Sequence, residues 1–186
     1  DPDERIGGKQ VPHNPLINAG AIMSCSLVKP GLPQADRFDY VMGIWAKLCG
    51  DKMPGFGNST YLSEAATADR NFCLGYLMKE NNAFPEDVRD AEELNKALNF
   101  YFMCCSIELD CAAMSVVAGT LANGGVCPVT SKRIFSPKTV RDALSLMCSC
   151  GMYDYSGEFA FSMGFPAKSG VGGAILIVIP NVMGIC

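Results

Sequence analysis

The sequence predicts an α+β chain dominated by helix, and three observations lead there. Most of the length divides into helix-length segments that open on capping residues and close on Gly or Pro. Strand signal is concentrated in one β-branched run near the C-terminus, "AILIVI" at 174–179. Apolar residues make up 49% and charged residues 18% of the 186 positions, a core-rich globular composition rather than a disordered one.

Taken in order, "HNP" at 13–15 reads as a helix start, with Asn14 as N-cap and Pro15 in the first helical position. The helix would run through "LINAGAIMSCSLVK" and stop at Pro30-Gly31. A second begins near Asp36 and ends at Gly50. Residues 59–80 read as one or two helices, and Asn58-Ser-Thr60, although a sequon, reads as a loop leading into them. "DAEELNKALNFYFMCCS" is another helix after the Pro85 break. "CAAMSVVAGTLANGG" is a small-residue helix closed by Gly124-Gly125 and suited to burial. "VCPVTSKRIFS" reads as a short hairpin or loop, after which Ser136-Pro137 caps "PKTVRDALSLMCSC". "SGEFAFSMG" is a short amphipathic segment. "GGAILIVIP" is the clearest strand, and a lone strand needs partners, which could lie outside this chain.

Composition narrows the function. The net charge of −4 is interspersed, and no basic run suggests nucleic acid or anionic lipid. The longest apolar run is too short to span a bilayer, and no signal or transit peptide is visible. The chain opens at Asp1 without a Met and stops at Cys186 in sequence that still reads as ordered, which points to a piece of something longer. Ten cysteines lie mostly in apolar helical stretches, without a C-x-x-C, and His13 has no second histidine. That argues against a structural zinc site and favours buried, reduced thiols in an intracellular protein.

Two short motifs suggest serine acyl transfer. Ser26-Leu-Val-Lys29 has the Ser-x-x-Lys spacing in which an amine activates a hydroxyl. Such a serine works best at a helix N-terminus, where free N–H groups stabilise an oxyanion. Lys29 precedes Pro30, so this pair falls in the last turn, where the dipole favours the ammonium and disfavours an alkoxide. Ser26 therefore reads as a small packed residue and Lys29 as a complement to the helix C-terminus. "AKSGVGGAILIVIP" differs: Lys168 brings positive charge, small residues let a substrate approach the backbone, and a strand N–H can serve an oxyanion.

Several unusual stretches then converge: "PHNPLINAGAI" (12–22), "SEAATADRN" (63–71), "NFYFMCCSIE" (99–108), "TLANGGVCP" (120–128), "SLMCSCGMYDYSGEFAF" (145–161) and "GFPAKSGVGGAILIVIPNVMG" (164–184). Together they resemble the serine-dependent glutaminases, end to end and in order, the animal kidney and liver type more than the bacterial branch. The resemblance implies an α+β, mostly helical chain of the β-lactamase and penicillin-binding-protein type, with an incomplete antiparallel sheet packed against helices. Residues 1–186 would be one partial catalytic domain, truncated at both ends.

The resemblance further implies hydrolysis of L-glutamine to L-glutamate and ammonia through an acyl-enzyme. The family's nucleophile lies in a Ser-Cys-Val-Lys motif upstream of the Asn-Ala-Gly stretch, and that segment is absent here. Ser26 sits downstream of Asn18 and is a decoy, so the isolated chain is expected to be inactive and, with an uncovered sheet edge, unstable or aggregating. Six positions match the family's glutamine-binding residues: Asn18, Glu64, Asn71, Tyr101, Tyr153 and Val171. Glu64 and Asn71 would hold the amino-acid head group, Tyr153 would shuttle protons and Val171 would offer its N–H to the oxyanion. Lys168 would help the electrostatics beside Tyr153. Family membership also implies no metal or organic cofactor, activation by inorganic phosphate, a homo-oligomer (dimer or tetramer) and a mitochondrial setting. The competing readings are a non-catalytic truncated isoform that assembles with full subunits, and a penicillin-binding or β-lactamase-type acyl-transferase.

Overall fold

A computed structural model describes residues 14–186 and, before them, the backbone of two short paired strands; His13 lies outside the described residues. In chain order the elements are β1 (Arg5–Ile6), β2 (Lys9–Gln10), α1 (Asn18–Leu27), α2 (Gln34–Leu48), β3 (Gly55–Phe56), α3 (Asn58–Ala66), α4 (Asp69–Glu80), α5 (Ala91–Cys105), β4 (Ile107–Glu108), α6 (Cys111–Ala122) and α7 (Pro137–Cys150). A single 3-10 turn (Tyr153–Tyr155), α8 (Ser156–Met163), β5 (Ala167–Ser169), β6 (Ile175–Ile179) and β7 (Met183–Ile185) complete it. The chain forms two compact units, residues 1–41 with 56–107, and residues 42–55 with 108–186.

The first unit is built around α5. Asp90 caps it, its Oδ1 accepting the Glu93 N–H at 2.8 Å. Six of its side chains are buried, and Leu94, Leu98, Tyr101 and Phe102 join Ile22 of α1 and Ala68 in one cluster. Burial of each large apolar side chain contributes about 1.5–3 kcal/mol. The expected helix start at Asn14-Pro15 is corrected: α1 begins at Asn18, behind Ile17. The Asn14 side chain instead accepts the Leu16 N–H at 2.8 Å and closes a turn. The Pro15 carbonyl of that turn lies so close over Gly20 that any Cβ there would collide with it. The other end is corrected too. Lys29 is not in the last turn but beyond it, in the left-handed region at φ 46°. Its Nζ lies over the Tyr40 ring at 5.1 Å. Arg37 complements the helix end instead, donating to the carbonyls of Val28 (2.8 Å) and Cys25 (2.7 Å) while stacking over Phe100.

The second unit holds the sheet. β5, β6 and β7 form a three-stranded antiparallel sheet, with Ala167 opposite Ile177 and Ile177 opposite Ile185. The expectation that the β6 run could need partners from outside the chain is therefore corrected: β5 and β7 flank it on both sides. Helix α6 packs on β6 and β7. Its small residues let the β7 backbone lie directly on the helix, with Gly184 against Ala118 and Gly119. A second cluster joins Leu48 and Cys49 to Ala113 and Val117. Ser136 and Pro137 start α7 as expected, the Ser136 hydroxyl accepting the Thr139 N–H at 3.1 Å. "SGEFAFSMG" is helix α8, and residues 126–135 form a loop with one isolated bridge, Val126 to Arg133.

The cysteine expectation is half corrected. None of the ten cysteines forms a disulfide, but only Cys49 and Cys127 are buried, and Cys73, Cys105, Cys111 and Cys148 are exposed. Helical periodicity puts them on outward faces of α4, α5, α6 and α7, a placement that their apolar neighbours in sequence conceal. No described helix is long and apolar enough to cross a membrane.

Candidate active site

In the first unit, Asn18 occupies the first turn of α1 and is exposed, whereas Asn71 is buried on α4. Their amides meet, the Asn18 Nδ2 donating to the Asn71 Oδ1 at 2.9 Å across 53 residues of sequence. That bond fixes the Asn71 oxygen as an acceptor of the Asn18 amide. Glu64 is exposed on α3. Tyr101 is 6% exposed on α5 and belongs to the core cluster, so its ring packs as a core aromatic. Burial pushes its phenol well above the ordinary value, reinforced by Cys105 and by the Glu64 carboxylate. Although the Cys105 residue is exposed overall, desolvation of its thiol beside Tyr101 pushes it up to about 11, with the Tyr101 hydrogen bond opposing the shift and Glu64 adding to it. Glu64 thus exerts its charge on the Tyr101 end of α5.

In the second unit, Tyr153, Lys168 and Val171 sit around the start of the sheet. Tyr153 lies in the left-handed region at φ 53°, a placement that strains a bulky residue by about 1–3 kcal/mol. It is 43% exposed, so core packing does not force this conformation. Lys168, half-buried on β5, places its Nζ 4.7 Å from the Tyr153 ring centroid. Its ammonium also donates to the Ser169 carbonyl. Burial holds the Lys168 pKa below the ordinary amine value, with Cys150 opposing that shift. Val171 forms the turn between β5 and β6 and is 97% exposed. The turn is closed by the Gly170 N–H on the Ala174 carbonyl (2.9 Å) and the Gly173 N–H on the Gly170 carbonyl (3.0 Å). Among the described residues these bonds leave the Val171 N–H without a protein acceptor.

Two residues that the sequence reading missed organise this corner. Gly151 packs so closely beneath the Ala167 carbonyl that a Cβ would overlap it, and its own carbonyl accepts the Ser169 N–H at 3.0 Å. Ser156 is 6% exposed; its hydroxyl accepts the Met152 N–H at 3.0 Å and donates to the Tyr153 carbonyl at 2.6 Å. The available signal was the dense Gly-Ser punctuation around "GMYDYSG", which marks a turn but does not say what the turn holds.

Ser26 and Lys29 do not form a couple. Ser26 is 4% exposed and donates to the Met23 carbonyl at 2.7 Å, one turn back along α1. Lys29 is engaged with Tyr40.

Comparison with known proteins gives a consistent set of relatives. Residues 5–186 match the Glutaminase family model. The chain is 56% identical over 183 residues to putative glutaminase 3 of Caenorhabditis elegans, covering 98% of this chain and 31% of that protein. It is 51% identical over 174 residues to the mitochondrial liver isoform of glutaminase from Rattus norvegicus, covering 94% of this chain and 28% of that one. A glutaminase of Clostridium tetani is 42% identical over 174 residues, 94% of this chain and 55% of the bacterial protein. The structure superposes on a crystal structure of Mglu in its native form with a TM-score of 0.81, at 33% identity, over 91% of this chain and 39% of the other. A second crystal structure, of Mglu in its glutamate form, matches equally well. The chain thus spans less than a third of the length of the animal relatives.

Proposed function

The chain belongs to the glutaminase family and has its β-lactamase-like fold, and from that premise we propose that the protein hydrolyses L-glutamine to L-glutamate and ammonia through a serine acyl-enzyme. The observation that carries this reading is the amide pair of Asn18 and Asn71, brought together from distant segments into one polar contact. A zwitterionic substrate needs such fixed amide donors and acceptors together with a carboxylate opposite its ammonium, the role we assign to Glu64. We assign Tyr101 of α5 to the same head-group site.

The chemistry is assigned to the second unit. The attacking serine forms a bond to the side-chain carbonyl carbon of glutamine, and the oxyanion that develops is received by the Val171 N–H. Tyr153 takes the serine hydroxyl proton and delivers it to the departing ammonia, then takes a proton from the water that hydrolyses the acyl-enzyme and returns it to the serine. The Lys168 ammonium lies against the Tyr153 ring and adds positive charge beside it. The serine is not Ser26, whose buried hydroxyl is committed to the helix backbone. We assign the attack to a Ser-x-x-Lys segment of the family's kind, which Ser26-x-x-Lys29 is not. We further assign the whole protein to a homo-oligomer of two or four subunits in mitochondria, activated by inorganic phosphate and needing no metal or organic cofactor. The mitochondrial assignment rests on the rat and mouse relatives.

The test is ammonia release from L-glutamine at high phosphate, with a β-lactam as a control substrate, for the full-length protein and its Ser26→Ala variant. Glutamine turnover that survives the substitution, without β-lactam turnover, is the expected result. Activity that vanishes in Ser26→Ala would make Ser26 the nucleophile and overturn this mechanism.

A further inference from the structure

We propose that Ser156 is a positioning residue for this reaction: its buried hydroxyl clamps the 152–156 turn in the strained conformation that presents the Tyr153 phenol to the Lys168 ammonium. The inference rests on the role given to Tyr153 above. Ser156 opens α8, where a serine or its neighbour ordinarily caps the free N–H groups of the first turn. Here no side chain caps α8. The Ser156 hydroxyl turns back instead, using its acceptor for the Met152 N–H and its donor for the Tyr153 carbonyl. The Ser156 N–H reaches the same Tyr153 carbonyl, so that oxygen is held twice by one residue. The residue so held is the aromatic at φ 53°, which is half-exposed and has little packing of its own to keep it there.

The other side of the contact is fixed independently. Gly151 seats β5 against the backbone just before the turn, and the Ser169 N–H to Gly151 carbonyl bond ties the strand to it. Lys168 lies between Ala167 and Ser169, so its position is set by the strand, not by Tyr153. Only the turn is left to choose whether the phenol meets the ammonium, and Ser156 supplies the two side-chain bonds that decide it. Ser156 touches no reacting atom; it acts through Tyr153.

The experiment compares Ser156→Ala, Ser156→Thr and Tyr153→Phe in the full-length protein. With Ser156→Ala, kcat for glutamine falls about 10- to 100-fold, the size expected when a catalytic group is displaced by about an ångström, while KM stays within about twofold. Ser156→Thr, which keeps the hydroxyl, restores most of kcat. The 13C signal of the dimethylated Lys168 side chain, shifted by the Tyr153 ring current, moves to its random-coil position in Ser156→Ala and returns in Ser156→Thr. Loss of kcat in Ser156→Ala with the melting temperature unchanged and the Lys168 signal unmoved would overturn the proposal, and so would loss of melting temperature and binding together with kcat, the mark of a merely structural role. So would Ser156→Ala retaining full kcat while Tyr153→Phe loses it, which leaves the role of Tyr153 standing. Full activity in Tyr153→Phe would instead remove the role of Tyr153 itself.

Discussion

Lys168 is a charge held where water is scarce, and its environment sets a pH dependence. Its folded-state pKa lies below the ordinary 10.5 because burial disfavours the ammonium. Between the folded and unfolded values the unfolded chain binds more protons, so stability rises with pH across that window and the destabilisation is fully present below it. Chemical denaturation of the protein and of Lys168→Met at pH 8 and pH 10 measures this. The wild type gains relative to the variant at the higher pH; a constant difference would show that the amine is not perturbed. Gly151 makes the second prediction at this scale. An added methyl would overlap the Ala167 carbonyl and push β5 off the turn, so Gly151→Ala destabilises by about 1–3 kcal/mol. A urea midpoint equal to that of the wild type would contradict the packing described. These roles were hidden in the sequence for a definite reason. Gly151 and Ser156 act through backbone approach and a φ angle, neither of which leaves a pattern of residue types, whereas Asn18, Glu64, Asn71, Tyr101, Tyr153 and Val171 were legible only through the family resemblance.

At the scale of elements, α5 carries the largest single burden in the first unit. Leu98 is fully buried where α5 meets the core cluster, so Leu98→Ala leaves a cavity and destabilises by about 2–5 kcal/mol. Ser136→Ala removes the cap of α7 and costs about 1 kcal/mol. Equilibrium unfolding of both variants, with similar denaturant dependence, checks the order: the core loss should exceed the cap loss. The caps were readable because capping is local; Asp90 and Ser136 act within three residues of themselves. The start of α1 was misread because the decision there is not local to the cap. Asn14 and Pro15 carry the helix-start signature, yet Asn14 closes a turn on the Leu16 N–H and α1 begins only at Asn18. β5 and β7 escaped notice because three residues cannot establish an alternating pattern, and β6, with its β-branched run, is what holds them in the sheet.

At the scale of the whole molecule, the mostly helical α+β class was legible from composition and periodicity, because helical segments announce their ends. The sheet's membership was not, since antiparallel pairing is decided by contacts and turns rather than by propensity. The candidate residues fall into both units: Asn18, Glu64, Asn71 and Tyr101 in one, Tyr153, Lys168 and Val171 in the other. The backbone passes from unit to unit at 41/42, 55/56 and 107/108, so neither is a continuous stretch of chain. A single cut in the gene can therefore release neither as a cassette, and recombination with a relative at one breakpoint mixes the two rather than exchanging one. A crossover at 107/108 would part the binding residues from the proton-handling ones, but it would also tear residues 42–55 away from the rest of their own unit.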